Sequence, residues 1–327
     1  MTKINLGIIG VADVLTKSIV PHLNKVENLN IIAVASRSID KAKAFADQNG
    51  ISNYYEGYEK LLLNKDIDAV YIPLITSLHA DWTIKAIEAG KHVLVEKPIC
   101  LNSEDIFRLS ECVKKHSNIV ILEGLMSLHH PFNNYLSLLL KNKTFGNLKS
   151  ISTKACYNLT DEKDFRLFPE KGGSVFFEEG LLWCHLTQLC FGLDILNFEA
   201  LCLFNGPNKG DQTFQTKMHY PNGCSSELFC SYANPYQADH FLEFDEARIK
   251  IKNFWRPTFG NQKLKVEINR NNSTKIEYHI FEDNNYFYNQ LRFFVDVILG
   301  KEKNVSLDLS FERIKLMERV YNSTRNK

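Results

Sequence analysis

Residues 4–15 read Ile4-Asn5-Leu6-Gly7-Ile8-Ile9-Gly10-Val11-Ala12-Asp13-Val14-Leu15, an apolar run that stops at a glycine and gives way to helical spacing. A strand buried on both faces needs such a run, and Gly10 permits a tight turn from strand into helix. Gly10-x-Ala12-x-x-Leu15 is a degraded form of the fingerprint that cradles a dinucleotide. Val11, Ala12 and Asp13 would bring the backbone close, and the following helix would aim its free N–H groups at a pyrophosphate. Taken alone, the motif also fits an ordinary strand-to-helix turn.

Outward from this stretch the pattern repeats. Apolar runs at 29–35, 69–73, 92–95 and 119–122 alternate with helical spacing at about 14–24, 39–48, 78–89 and 103–115, where Ser103 offers a start and Gly90 a stop. This alternation predicts a parallel sheet covered by helices on both faces, a dinucleotide-binding domain over 1–122. The grammar changes after Glu123: a helix near 131–141, a strand near 148–157, a polar loop, then a helix over 173–191. Alternating segments from 199 to 280, broken at Asn205-Gly206-Pro207 and Pro221-Asn222-Gly223, predict an open, antiparallel or mixed sheet. Closing helices are expected near 284–299 and 310–322. The second domain is therefore expected over 123–327, an α/β unit for substrate binding and oligomerisation, with the option that the closing helices pack back on the first.

The composition narrows the function classes. A chain of 327 residues with 44% apolar and 24% charged content has material for about two domains. With a net charge of +1, no global field attracts a phosphate backbone or an anionic membrane, so nucleic acid and membrane partners are not expected. No run approaches the roughly 18 apolar residues of a membrane span, and the N-terminus lacks a small-residue cleavage site, so a cytoplasmic protein is expected. The eight cysteines form no C-x-x-C pair. Neither they nor the paired His129-His130 join other ligands at metal spacing, so no metal is assigned.

The second strand ends in Ala35-Ser36-Arg37-Ser38, where a site preferring NAD usually carries an acid for the adenosine 2′-hydroxyl. The acid is absent. Ser36, Arg37, Ser38 and, one turn later, Lys41 offer hydroxyls and cations suited to a 2′-phosphate, which predicts NADP(H) over NAD(H).

Val93-Leu94-Val95-Glu96-Lys97-Pro98 carries the most specific signal. Together with Gly7–Ala12, Tyr71-Ile72-Pro73-Leu74, Ser77-Leu78-His79, Glu123-Gly124-Leu125-Met126, His129-His130-Pro131, Phe165-Arg166 before Pro169 and Gly172-Gly173-Ser174, it resembles the Gfo/Idh/MocA oxidoreductases over nearly the whole chain. The motifs stand nearest the branch with sugar-nucleotide 3-ketoreductases, glucose-fructose oxidoreductase and dihydrodiol dehydrogenase. The resemblance implies a Rossmann domain, a second α/β domain whose open sheet forms a homo-oligomer interface, and hydride transfer to or from a small-molecule sugar or sugar nucleotide. It also implies Lys97 as the catalytic ammonium, with Leu74, Ser77, His79 and Glu96 near the cofactor. An ammonium beside the nicotinamide can stabilise an alkoxide as it forms or loses a proton.

The chain departs from the family pattern on the helix after the double glycine. An Asp followed four residues later by a His or Tyr is usual; here that register gives Glu178 and Leu182, and a slip of one gives Glu179 and Trp183. His185 is the substitute acid, on one helical face with 178 and 182, though displaced by about 4.5 Å along the axis. Arg166, Glu178, His185 and His130 are the expected substrate contacts. The leading expectation is an NADP(H)-dependent ketone reductase. An imine or double-bond reductase, an NAD-dependent glycosidase and a catalytically silent cofactor-binding protein are its rivals.

Overall fold

The computed structural model describes residues 3–23, 25–254, 263–282 and 284–325, so the alternation expected across 255–262 lies outside the described residues. Six strands form the first sheet: β1 (Ile4–Ile9), β2 (Leu29–Ser36), β3 (Asn53–Glu56), β4 (Ala69–Ile72), β5 (His92–Glu96) and β6 (Ile121–Gly124). Their order is β3-β2-β1-β4-β5-β6, with every pair parallel. The chain builds outward from β1 to β3 and then restarts on the other side of β1. In such sheets, ligands bind outside the carboxyl ends of the strands at this reversal, here between β1 and β4. Side chains of β1, β4 and β5 are almost wholly buried, as the continuous apolar runs require.

A π-turn (Leu15–Ile19) and α1 (Val20–Leu23) follow β1, and α2 (Ile39–Asn49), α3 (Tyr58–Leu62), α4 (His79–Glu88) and α5 (Ser103–Lys115) connect the later strands. Two local expectations change. Asn102, not Ser103, caps α5, its side-chain oxygen accepting from the Asp105 N–H at 2.8 Å. Strand β3, unanticipated, reads Asn-Tyr-Tyr-Glu and alternates half-buried and exposed positions at the sheet edge, so no apolar run marks it.

The second sheet follows α6 (Pro131–Lys141) and contains β7 (Leu148–Cys156). A π-turn (Phe176–Gly180) and α7 (Leu181–Phe191) come next, then β8 (Asn197–Leu203), β9 (Thr213–His219), β10 (Ser225–Ser231), β11 (Gln237–Phe244), β12 (Ala247–Lys252), β13 (Leu264–Arg270) and β14 (Ile276–Phe281). The order is β14-β13-β12-β11-β7-β10-β9-β8. It is mixed: β7 and β10 are parallel and the remaining pairs antiparallel. One face buries Ile151, Thr153, Phe214, Met218, Leu228, Leu242, Ile251 and Val266. The cross-strand register puts Leu201, Leu203, Ile276, Tyr278 and Ile280 on the opposite face, where all five are exposed. The chain closes with α8 (Tyr286–Ile298) and α9 (Leu307–Arg325).

Two compact units result, Met1–His129 with Tyr286–Phe311, and His130–Asn285 with Glu312–Lys327. In the first, α8 is tied down where Asn289 Nδ2 donates to the His129 carbonyl at 2.9 Å and Phe293 packs on the His129 ring at 4.8 Å. Among the described residues no helix is long and apolar enough to cross a membrane.

Candidate active site

The crest of the first sheet is built around Gly10. Its φ is +104°, and a Cβ there would lie 2.6 Å from Leu74 Cδ2, so only glycine lets the turn after β1 approach the loop after β4. The Gly10 N–H closes the crest by donating to the Ala35 carbonyl at 2.9 Å. Val11 and Ala12 are half-buried, while Asp13 is exposed and ion-pairs with Lys17 at 2.7 Å. At the end of β2, Ser36 is buried and its Oγ accepts from the Ser38 N–H at 3.4 Å. Ser38 in turn caps α2, accepting from the Lys41 N–H at 3.4 Å. Arg37 and Lys41 are exposed. Arg37 hydrogen-bonds the hydroxyl of Tyr58, a buried residue packed edge-on against Trp82 at 4.8 Å. Sequence reasoning missed Tyr58, which lies in a helix of only five residues.

Lys97 follows β5, half-buried, and is joined to Pro98 by a cis peptide bond. Its surroundings are pinned on three sides. The Tyr71 hydroxyl donates to Glu96 Oε1 at 2.6 Å; burial, and then the Glu96 carboxylate, keep that phenol protonated well above its ordinary range. His79 Nδ1 lies 2.7 Å from the Pro98 carbonyl oxygen and its Nε2 2.8 Å from that of Leu74. Glu123 accepts from the Ile99 N–H at 3.1 Å and from the Ser310 hydroxyl at 2.6 Å. Neither Tyr71 nor Glu123 was singled out as a site residue from the sequence, although both stand in its quoted motifs. Leu74 is half-buried and Ser77 exposed on the neighbouring loop, whereas His79 is buried and turns both ring nitrogens to main-chain carbonyls.

The second unit gathers its own polar cluster. Arg166 Nη1 binds Asp164 Oδ2 at 2.8 Å and its Nε stands 4.0 Å from Glu178 Oε2, so two expected substrate contacts share one locality. Burial opposes the charge on Arg166, but Tyr157, Glu178, Tyr232 and Asp164 outweigh it and hold the guanidinium protonated. Tyr157 and Tyr232, hydrogen-bonded to each other, were not anticipated; burial raises both phenols. Gly173 explains the double glycine: a Cβ there would meet the Phe165 carbonyl oxygen at 2.3 Å, so the two backbones press together only because the side chain is hydrogen. Asp211 anchors the next segment, accepting from Ser174 Oγ at 2.8 Å and the Phe176 N–H at 3.1 Å, and burial pushes its carboxyl up to about 6.

Two expectations are corrected in this unit. Glu178 lies in the π-turn, and the α-helix begins only at Leu181, so the single α-helical face assumed for 178, 182 and 185 does not exist. All three side chains are buried, with Leu182 supplying no polar atom where the family acid would stand. His130, expected at the substrate, is instead the cap of α6: its Nδ1 accepts from the Phe132 N–H at 3.0 Å and its ring packs edge-on against Phe254 and Phe281.

A dinucleotide fits the first unit. The glycine crest, the helical turns that open at Asp13, and the serine and guanidinium groups at the end of β2 match, in order, the pyrophosphate and adenosine ends of such a ligand. Residues 4–123 match the family model described as an oxidoreductase family with an NAD-binding Rossmann fold. A dTDP-3,4-didehydro-2,6-dideoxy-alpha-D-glucose 3-reductase of Actinomadura kijaniata is 27% identical over 304 residues, covering 91% of this chain and 89% of that one. A D-xylose 1-dehydrogenase (NADP(+)) of Haloferax volcanii is 24% identical over 320 residues, with 97% and 96% covered. The crystal structure of a 3-ketoreductase from Actinomadura kijaniata in complex with NADP and TDP-benzene superposes with a TM-score of 0.90 at 25% identity, covering 98% of each chain. The first unit, whose crest is shaped for a dinucleotide, is thus similar to the NAD-binding Rossmann unit of that oxidoreductase family, and the likeness to these relatives runs on through the second unit.

Proposed function

We propose that this chain reduces a keto group on a sugar or sugar nucleotide to the alcohol, with NADPH preferred over NADH. The observation that supports the reading is the pinning of the backbone around Lys97: Glu96 before it and Pro98 and Ile99 after it are each fixed by a buried partner at the end of β5. What the dinucleotide supplies when bound is the hydride. Gly10, Val11, Ala12 and Asp13 hold its pyrophosphate, and Ser36, Arg37, Ser38 and Lys41 its adenosine end. Leu74, Ser77, His79 and Glu96 shape the loops beside it.

Lys97 polarises the substrate carbonyl and neutralises the oxygen as negative charge gathers there, an interaction strengthened where water is excluded. Arg166 and Glu178 bind the hydroxyl or anionic groups of the substrate, and His185 is the candidate acid where Leu182 supplies none. Names of relatives support this assignment: two act on a dTDP-keto sugar and on D-xylose with NADP(+). The test is NADPH oxidation with a panel of keto sugars, comparing wild type with Lys97→Ala. The rate should fall by about two orders of magnitude or more, the usual weight of a positioned acid or base; equal rates overturn the reading. For the cofactor, Arg37→Asp should move the preference toward NADH, and an unchanged NADPH-to-NADH ratio overturns that part.

The uncovered face of the second sheet, with Leu201, Leu203, Ile276, Tyr278 and Ile280 exposed, fits a homo-oligomer built through that sheet. Sedimentation of wild type beside a Leu201→Glu, Tyr278→Glu double variant should show an assembly in the first and monomers in the second.

A further inference from the structure

We propose that His79 is held as an imidazolium, a buried cation that ties the Lys97 loop to the dinucleotide crest and so acts as a positioning residue for Lys97. The ring is 1% exposed, with Nδ1 2.7 Å from the Pro98 oxygen and Nε2 2.8 Å from the Leu74 oxygen. Carbonyl oxygens only accept, so each contact requires an N–H. A neutral imidazole has one N–H and one lone pair; in either tautomer one contact would then set a nitrogen lone pair against an oxygen lone pair at under 3 Å. Only the doubly protonated ring satisfies both.

Burial by itself favours the neutral ring. Opposing it, a charged donor makes hydrogen bonds about twice as strong as a neutral one, and here two are made. The charged groups on the flanking elements are Asp81, Lys85 and Glu88 on α4, Glu96 and Lys97 at the end of β5, and Glu123 on β6. The two carbonyls belong to the residues that matter for the site. Pro98 directly follows Lys97, and Leu74 is the side chain that presses on Gly10. A single ring therefore fixes the ammonium loop relative to the turn that cradles the dinucleotide.

The kinetic part of this inference rests on the reading of Lys97 above; the protonation state does not. In the full ¹⁵N-labelled chain as purified, with and without added NADPH, ring nitrogen shifts of His79, assigned by through-bond correlation, should show two N–H groups at pH 7. A pyridine-type nitrogen there overturns the proposal. His79→Gln, which offers one donor nitrogen where the imidazolium has two on opposite sides of the ring, should lower kcat about tenfold while the KM for NADPH changes by less than about twofold, as small displacements of a catalytic group do. An unchanged kcat overturns the positioning role. Failure of Lys97→Ala to lower the rate, with the two N–H groups present, would remove the Lys97 reading and leave the imidazolium standing. If His79→Gln does not fold, the wild-type nitrogen shifts decide alone.

Discussion

The Tyr71 hydroxyl on β4 donates to Glu96 Oε1 on β5 at 2.6 Å, with both side chains buried, so the residue directly before Lys97 is held from the neighbouring strand. Tyr71→Phe removes the donor and leaves a buried carboxylate with one bond fewer. Unfolding by denaturant should show a loss of roughly 1.5–3 kcal/mol, the range for hydrogen bonds to charged groups. A variant within about 0.5 kcal/mol of wild type, the range for inert surface changes, would mean that the pair carries no weight.

Gly173 and Gly50 are both glycines, and the structure separates them. A methyl at Gly173 would collide with the Phe165 carbonyl at 2.3 Å, whereas Gly50 has a φ of +67° and open space around it. Gly50→Ala should cost about 1 kcal/mol of left-handed backbone strain. Gly173→Ala should cost more, about 1–3 kcal/mol of overpacking, and should also raise the KM for substrate because it shifts the segment carrying Arg166. Equal thermal midpoints in the two variants would contradict this contrast.

Arg166 sits between Asp164 and Glu178 with its side chain 35% exposed. Arg166→Lys keeps a cation but loses the fork that binds a carboxylate and a substrate group together. The expected result is a rise in substrate KM of about tenfold, the equivalent of roughly 1.4 kcal/mol, with the KM for NADPH unaltered. A change confined to the cofactor KM would remove Arg166 from the substrate side.

Acid sensitivity has two opposing sources. Burial lowers His130 to about 4 and His240 to about 3, so each stays neutral in the fold but charges in the unfolded chain near its ordinary value of 6.5. Their contribution is present above that value and is lost as pH falls toward 4. Asp211 runs the other way. Its folded value of about 6 exceeds the unfolded 3.8, so its contribution is full below about 4 and is lost as pH rises through 6, by on the order of 3 kcal/mol. Denaturant unfolding at pH 4 and pH 7 should therefore shift in favour of Asp211→Asn, relative to wild type, at the higher pH. His240→Gln should lose less stability than wild type on going to pH 4. A pH-independent difference for either variant would contradict its assignment.

Much of the fold was legible because the relevant strands are buried on both faces. For β1, β2, β4, β5 and β6 the same apolar run that identifies the strand is the requirement for burying it, so one-dimensional pattern and three-dimensional role coincide. The β3 edge and the five-residue α3 escaped, since a half-exposed strand and a single helical turn leave no such pattern. At the candidate site, Lys97, Gly10 and Arg37 were proposed from motifs. The roles of Tyr71, Glu123 and Tyr58 were not, because each acts through a partner 21 to 25 residues away in the chain, as the Tyr58–Arg37, Tyr71–Glu96 and Glu123–Ile99 bonds do.

The amino-acid order determined a parallel dinucleotide-binding sheet, an open second sheet left as antiparallel or mixed, and an ammonium at the end of β5, because hydrophobic periodicity and glycine placement are local properties of the chain. Only the tertiary structure decided that Glu178 leaves α-helical register, that His130 spends its lone pair on a helix cap, and that His79 bridges two carbonyls. Those outcomes depend on which donors and acceptors meet once the backbone is packed, and no spacing rule along the chain carries that information.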